Sequence, residues 1–278
     1  MFATARGGVN VRAANKSTFG RLFAKPWRRP EAAGRVWDRL LAATVFPPTC
    51  SLCGEESLPC PLDLCELCEA SLPRLTDAYT RRPPAFDLAV VPFVYGYPVD
   101  RIVRALKFRG ERVFGRVLGM QLAAARAAFG PPWPDCVVPM PLHRARFRER
   151  GFNQAHELAR HAGRALGIAL APRALERVLE TREQTGLSAA ARRLNVRHAF
   201  RVRRGFTARR VALVDDVVTT GSTATEAARA LEAAGVEVVE LWAAARATLE
   251  ARPAARRAHV ERSSAYSSRM PAKIDMPT

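Results

Sequence analysis

The spacing of apolar residues changes character several times along this chain of 278 residues. In residues 31–45, EAAGRVWDRLLAATV, Val36, Trp37, Leu40 and Leu41 predict a short amphipathic helix, stopped by Pro47 and Pro48. Residues 69–86 contain Pro73, Pro83 and Pro84 and read as a connector. From Leu88 the pattern becomes a strand–helix alternation. Leu88–Tyr95 is an apolar run of strand length, and Val99–Phe108 and Val113–Ala128 have helical periodicity, separated by Gly110. Cys136–Met140 predicts a short buried strand, Ala155–Leu166 a helix and Leu175–Leu179 a weak strand. Val211–Val214 is the clearest strand and Thr223–Ala234 the clearest helix, with Gly235 placed to end it and Val236–Trp242 as the next strand. Strands alternating with helices define an α/β domain, a parallel sheet flanked by helices.

The run VALVDDVVTTGSTATE at residues 211–226 carries the sharpest chemistry. Four apolar residues suit a strand buried on both faces, and ligands gather at the C-terminal end of such strands, where Asp215 and Asp216 stand. Thr219, Thr220, Gly221, Ser222 and Thr223 form a small, hydroxyl-rich turn into the helix. Helix N–H groups and dipole there favour a phosphate. Thr223 and Glu226 have capping-box spacing, and Ala224, Ala227, Ala228, Leu231 and Ala234 make the stripe that packs on the sheet. Tandem acids repel unless a partner offsets them, and a diol or a metal-bound diphosphate is such a partner.

The formal charge of +18 is concentrated at the ends: residues 1–30 hold seven Lys/Arg and no acid, and residues 251–278 hold six against Glu261 and Asp275. The basic remainder suits a polyanionic small molecule as well as it suits DNA. Residues 1–45 read as a basic tail plus the short helix, and 251–278 as a basic disordered tail, either solvated or touching nucleic acid. The Arg-rich start fits an organellar transit peptide, an upstream mis-assigned start codon or a simple tail equally well. No apolar run reaches the roughly 20 residues of a membrane span, so the expectation is a cytoplasmic protein without membrane insertion.

Residues 137–160 set Arg144, Arg146, Arg148, Arg150 and Arg160 against two acids, either as a solvated loop or as an anion site suited to the planar guanidinium fork. Residues 182–200 hold Gln184, Thr185, Ser188, Arg192, Arg193 and Asn195 and read as a capped helix with a basic face. Two CxxC pairs, Cys50/Cys53 and Cys65/Cys68, are spaced as the two knuckles of a structural zinc site. Cys60 lies between them and could replace Cys65 only by spoiling that symmetry; Cys136 reads as a buried apolar residue.

The run at 211–223 resembles the thirteen-residue signature of type I phosphoribosyltransferases. The resemblance implies that Asp215 and Asp216 face ribose hydroxyls and that residues 219–223 cradle the 5′-phosphate of phosphoribosyl pyrophosphate (PRPP). Thr219 stands where 6-oxopurine salvage enzymes carry an aspartate, which disfavours hypoxanthine/guanine salvage. PMPLHRARFRERGFNQA, EQTGLSAAARRLNVRHAF and Leu106-Lys107-Phe108-Arg109-Gly110 extend the likeness, over about residues 46–246, to the ComF family, linked to DNA uptake in bacterial competence. That family implies a zinc ribbon over 46–75, a phosphoribosyltransferase domain over 85–250 and a mobile lid near 182–200. Two functions then compete. One is an enzyme that binds Mg²⁺ with PRPP and uses Arg146, Arg150 and Arg193 on the departing pyrophosphate, in DNA uptake or in nucleotide metabolism. The other is a non-catalytic factor for single-stranded DNA or the competence machinery.

Overall fold

The computed structural model describes residues 49–55, 63–75, 85–178 and 199–247. The helix expected at 31–45, both tails, Cys60 and Arg193 lie outside them. The described elements, in chain order, are α1 (Glu66–Ala70), β1 (Leu88–Val90), β2 (Phe93–Val94), α2 (Val99–Arg104), a π-helical turn (Ala105–Arg109), α3 (Val113–Ala127), β3 (Cys136–Pro139), α4 (Arg144–Arg150), α5 (Gln154–Leu166), β4 (Ala169–Leu170), β5 (Leu175–Arg177), β6 (Phe200–Val202), β7 (Arg210–Val218), α6 (Ser222–Ala233) and β8 (Val238–Arg246).

The main sheet is parallel, in the order β1-β8-β7-β3-β4, with β2 also pairing β8. Its faces alternate with the residues of β7. Ala212 and Val214 join Ile102, Leu118, Leu158 and Trp242 on one side, beneath α2, α3 and α5. Val211 and Leu213 join Ala227, Leu231 and Phe200 on the other, beneath α6 and the antiparallel pair β5–β6. Helices therefore cover both faces, as an apolar β7 requires. Helices α3 and α5 approach closely because Gly119 has no side chain; a Cβ there would stand 2.7 Å from the Leu158 carbonyl oxygen.

Several boundaries differ from those read in the sequence. The run Leu88–Tyr95 is two strands, because Pro92 has no N–H to give a ladder. β7 continues through both aspartates to Val218, and the following strand spans Val238–Arg246. α6 starts at Ser222 with Gly221 as its cap at φ 76°, so Thr223 lies inside the first turn and forms no capping box; Glu226 pairs with Arg229 at 2.5 Å instead. Ala224, Ala227, Ala228 and Leu231 are buried as expected, whereas Ala234 caps the helix end and is exposed. Gly235, at φ 97°, follows in the left-handed conformation. The arginine run is not a loop but the helix α4, between the His143 cap and left-handed Gly151.

The cysteine module belongs to the same core. Cys50, Leu64 and Leu72 are almost wholly buried with Phe93 and Leu118. Val94 N–H donates to the Pro73 carbonyl and Leu75 N–H to that of Pro92, both at 2.9 Å. Arg74 lies over the Phe93 ring and donates to Gln121 of α3, and Arg116 of α3 pairs with Asp63. Among the described residues no helix is long and apolar enough to cross a membrane.

Candidate functional site

The C-terminal edge of β7 gathers charge from both faces of the sheet. Asp216 is buried, and Lys107 of the π-turn places Nζ 2.9 Å from its Oδ2. Oδ2 is buried against that ammonium, and Oδ1 accepts from Val217 N–H at 2.6 Å. Burial alone would lower the Lys107 ammonium; Asp216 outweighs it and holds it above the ordinary lysine value. Asp215 is half-buried, and its Oδ1 accepts from Asp216 N–H at 2.9 Å. Burial, with the charge of Asp216, pushes its carboxyl up to about 7 against the pull of Lys107 and Arg177. The repulsion between tandem acids is thus relieved inside the protein: one acid takes an internal cation and the other holds its proton more tightly.

Beyond β7 the chain turns at Thr219 and Thr220, both exposed, and enters α6 through Gly221. Thr220 Oγ1 accepts from Ser222 N–H at 3.4 Å, a long contact, and meets Ser222 Oγ at 3.1 Å. Thr223 is half-buried in the first turn. A left-handed glycine, hydroxyls and helix N–H groups make the kind of concavity that accepts an anion.

The arginines approach from α4. Arg146 and Arg150, one turn apart on one face, are half-buried, whereas Arg144 and Arg148 are exposed. Arg150 lies 5.4 Å over the Phe108 ring, and Arg112 lies 5.4 Å over Phe152, so the π-turn region and the α4–α5 junction clasp each other reciprocally. Asn153 caps α5 through Ala155 N–H at 2.9 Å and donates to the Met140 carbonyl at 2.9 Å, tying the arginine helix to the end of β3. Two buried polar atoms here lack hydrogen-bond partners, Arg150 Nε and Gln154 Oε1. Lys107 was missed as a site residue in the sequence reading, although it lies in the Leu106–Gly110 motif. The signal was a lysine at the apolar end of a helix just before a glycine.

The four cysteines form the second centre. Their Sγ atoms all lie within 4.8 Å of one another, with Cys53 and Cys65 at 3.8 Å. A zinc–sulfur bond of about 2.3 Å gives a tetrahedron whose edge is about 3.8 Å, so the set fits zinc. Cys65 lies within this four-sulfur set, and its Sγ also caps α1 by accepting from Cys68 N–H. Burial raises the Cys53 and Cys68 thiols; at Cys50 it acts the same way but backbone N–H groups overcome it and bring the thiol to about 7. Deprotonating all four needs a cation among them. Cys136 is buried in β3, as expected, and burial pushes its thiol up to about 11.

A parallel sheet flanked by helices, with tandem acids at the end of its central strand, is an α/β architecture of the type I phosphoribosyltransferase kind, and a four-cysteine cluster precedes it in the chain. No family model matches the sequence. Competence protein F of Haemophilus influenzae is 36% identical over 174 residues, covering 60% of this chain and 76% of that protein. The DNA utilization protein YhgH of Salmonella typhi is 34% identical over 200 residues, 70% of this chain and 81% of that protein. Its Escherichia coli (strain K12) namesake is 35% identical over 166 residues, 58% of this chain and 73% of that protein. The chain belongs to the ComF family.

Proposed function

We propose that the protein binds Mg·PRPP at the end of β7 and works in the cytoplasm in the handling of DNA taken up by the cell. The observation that carries the reading is the conjunction at 215–223 of a tandem acid pair at a strand end, one acid buried and one half-buried, with a left-handed glycine and a helix start. Asp215 and Asp216 would face the ribose hydroxyls, residues 219–223 would hold the 5′-phosphate, and Arg146, Arg150 and Arg193 would meet the pyrophosphate. The unpartnered Arg150 Nε supports a ligand anion on that side. Zinc organises residues 46–75, residues 85–250 form the phosphoribosyl unit, and the basic tails flank both. Relatives named for competence and for DNA utilization support the cellular role.

Calorimetric titration of Mg·PRPP into wild-type protein and into Asp215→Asn and Asp216→Asn tests this. Binding that either substitution weakens by about tenfold or more supports the reading. Equal binding by all three, or none by any, overturns it. If pyrophosphate is released when nitrogenous acceptors are added, the protein is a transferase.

A second reading has its own observation. Phe147 and Phe108 are exposed large aromatics beside the arginines of α4, a combination that suits stacked bases and a phosphate backbone. Salt-sensitive binding of single-stranded DNA, weakened by Arg146→Ala and Arg150→Ala, supports it; undetectable or salt-independent binding removes it. The two readings are compatible, with PRPP regulating a DNA-handling role.

A further inference from the structure

We propose that Lys107 is a positioning residue of the strand-end site, holding Asp216 and offsetting its charge so that the acid pair can receive a cis-diol on an anionic ligand. The inference rests on the phosphoribosyl reading and adds a residue that the signature at 211–223 does not contain. Three observations carry it.

First, the contact is specific and buried: Lys107 Nζ meets Asp216 Oδ2 at 2.9 Å, with the carboxylate side chain only 5% exposed. Second, both oxygens of Asp216 are held: Oδ1 takes Val217 N–H and Oδ2 takes the Lys107 ammonium. The carboxylate is therefore fixed in orientation beside the more open Asp215, and each of its oxygens has a second lone pair. Third, Lys107 is carried by a π-helical turn, a rare local geometry that recurs at functional sites. The next residue on that turn, Phe108, packs under Arg150. One turn therefore sets both an acid that would face a diol and an arginine that would face an anion.

Charge explains why a lysine is needed. Two bare carboxylates would repel a phosphorylated sugar. With Lys107 beside Asp216, the strand end presents directed oxygens at much lower net charge. Lys107 thereby acts through Asp216 and need not touch the ligand.

The test is titration of ribose 5-phosphate, 2-deoxyribose 5-phosphate and inorganic phosphate into the full-length wild-type chain, Lys107→Met, Lys107→Arg, Asp216→Asn and the Lys107→Met/Asp216→Asn double variant. Wild type is expected to prefer ribose 5-phosphate over its 2-deoxy analogue by about tenfold. Lys107→Met should reduce that preference to about twofold or less while inorganic phosphate affinity stays within about threefold. Lys107→Arg should restore most of the preference, and the double variant should discriminate no worse than Asp216→Asn alone. If Lys107→Met does not fold, Lys107→Gln runs the same comparison. A charge-removing variant that keeps the wild-type preference overturns the proposal, as does one that loses phosphate and ribose 5-phosphate equally. Wild type that binds none of the three, or shows no preference, overturns the proposal for Lys107, whereas the phosphoribosyl reading stands or falls separately on the Mg·PRPP titration.

Discussion

Two cation–carboxylate pairs brace opposite edges of one sheet, and they are finished to different degrees. Near its N-terminal edge, Arg126 gives Glu240 two hydrogen bonds, at 2.7 and 2.9 Å, and spends its other donors on the Gly130 and Pro132 carbonyls. Trp242 Nε1 adds a further bond to Glu240, and the Trp133 ring lies under the guanidinium. At the C-terminal edge Lys107 meets Asp216 through a single contact at 2.9 Å, beside an acid whose carboxyl is driven up to about 7. A satisfied network stabilises; an unsatisfied one beside an open loop stores capacity for something else. The same sheet thus separates the work of staying folded from the work of binding.

Removing one partner should affect the two edges unequally. Glu240→Gln should destabilise by about 3–5 kcal/mol in urea unfolding, because it leaves Arg126 charged and buried. Lys107→Met should lose only about 1–2 kcal/mol. Equal losses would erase the distinction. The cysteine cluster extends the contrast, being a polar set that a bound ion would complete. Zinc analysis should find one ion per chain, and stripping it with a chelator should destabilise the protein by about 2 kcal/mol or more while releasing Leu64 and Leu72 from the core.

Acidity separates the edges more gently. Asp215 binds its proton more tightly in the folded state than in the unfolded chain, where its value is ordinary. Its contribution is therefore most favourable at low pH and is lost as pH rises from about 4 towards 7. Wild type minus Asp215→Asn should show a downward stability slope in that window, of at most about 1.4 kcal/mol per pH unit, and a flat difference above it. The smallest effect belongs to Gly221→Ala. Its left-handed φ of 76° predicts about 1 kcal/mol of destabilisation and weaker phosphate binding, while the Arg126–Glu240 edge stays intact.

The parts readable in the sequence were those with a local signature. β7 and α6 stand out because four apolar residues, two acids and a glycine follow one another within a few positions. The cysteines stand out because their spacing alone is diagnostic. What escaped depends on distant partners. Nothing near Arg126 marks it as buried, since its carboxylate lies on β8. Lys107 meets its acid from a π-turn, and a π-turn leaves no mark in apolar periodicity. Helix α4 was read as charge rather than helix because seven residues with four arginines show no apolar stripe. The break between β1 and β2 does have a local mark, Pro92.

The antiparallel pair β5–β6 has a consequence of its own. Val178 N–H donates to the Ala199 carbonyl at 2.8 Å, one step beyond the Arg177–Phe200 pair, so the chain departs and returns at a single pinned point. Main-chain bonds set this register by themselves, so it does not depend on the exposed side chains of the facing pair Glu176 and Arg201. Both positions can be exchanged for other residues with little strain on the main sheet, which makes the outer face of this two-stranded pair a natural place to attach a reporter.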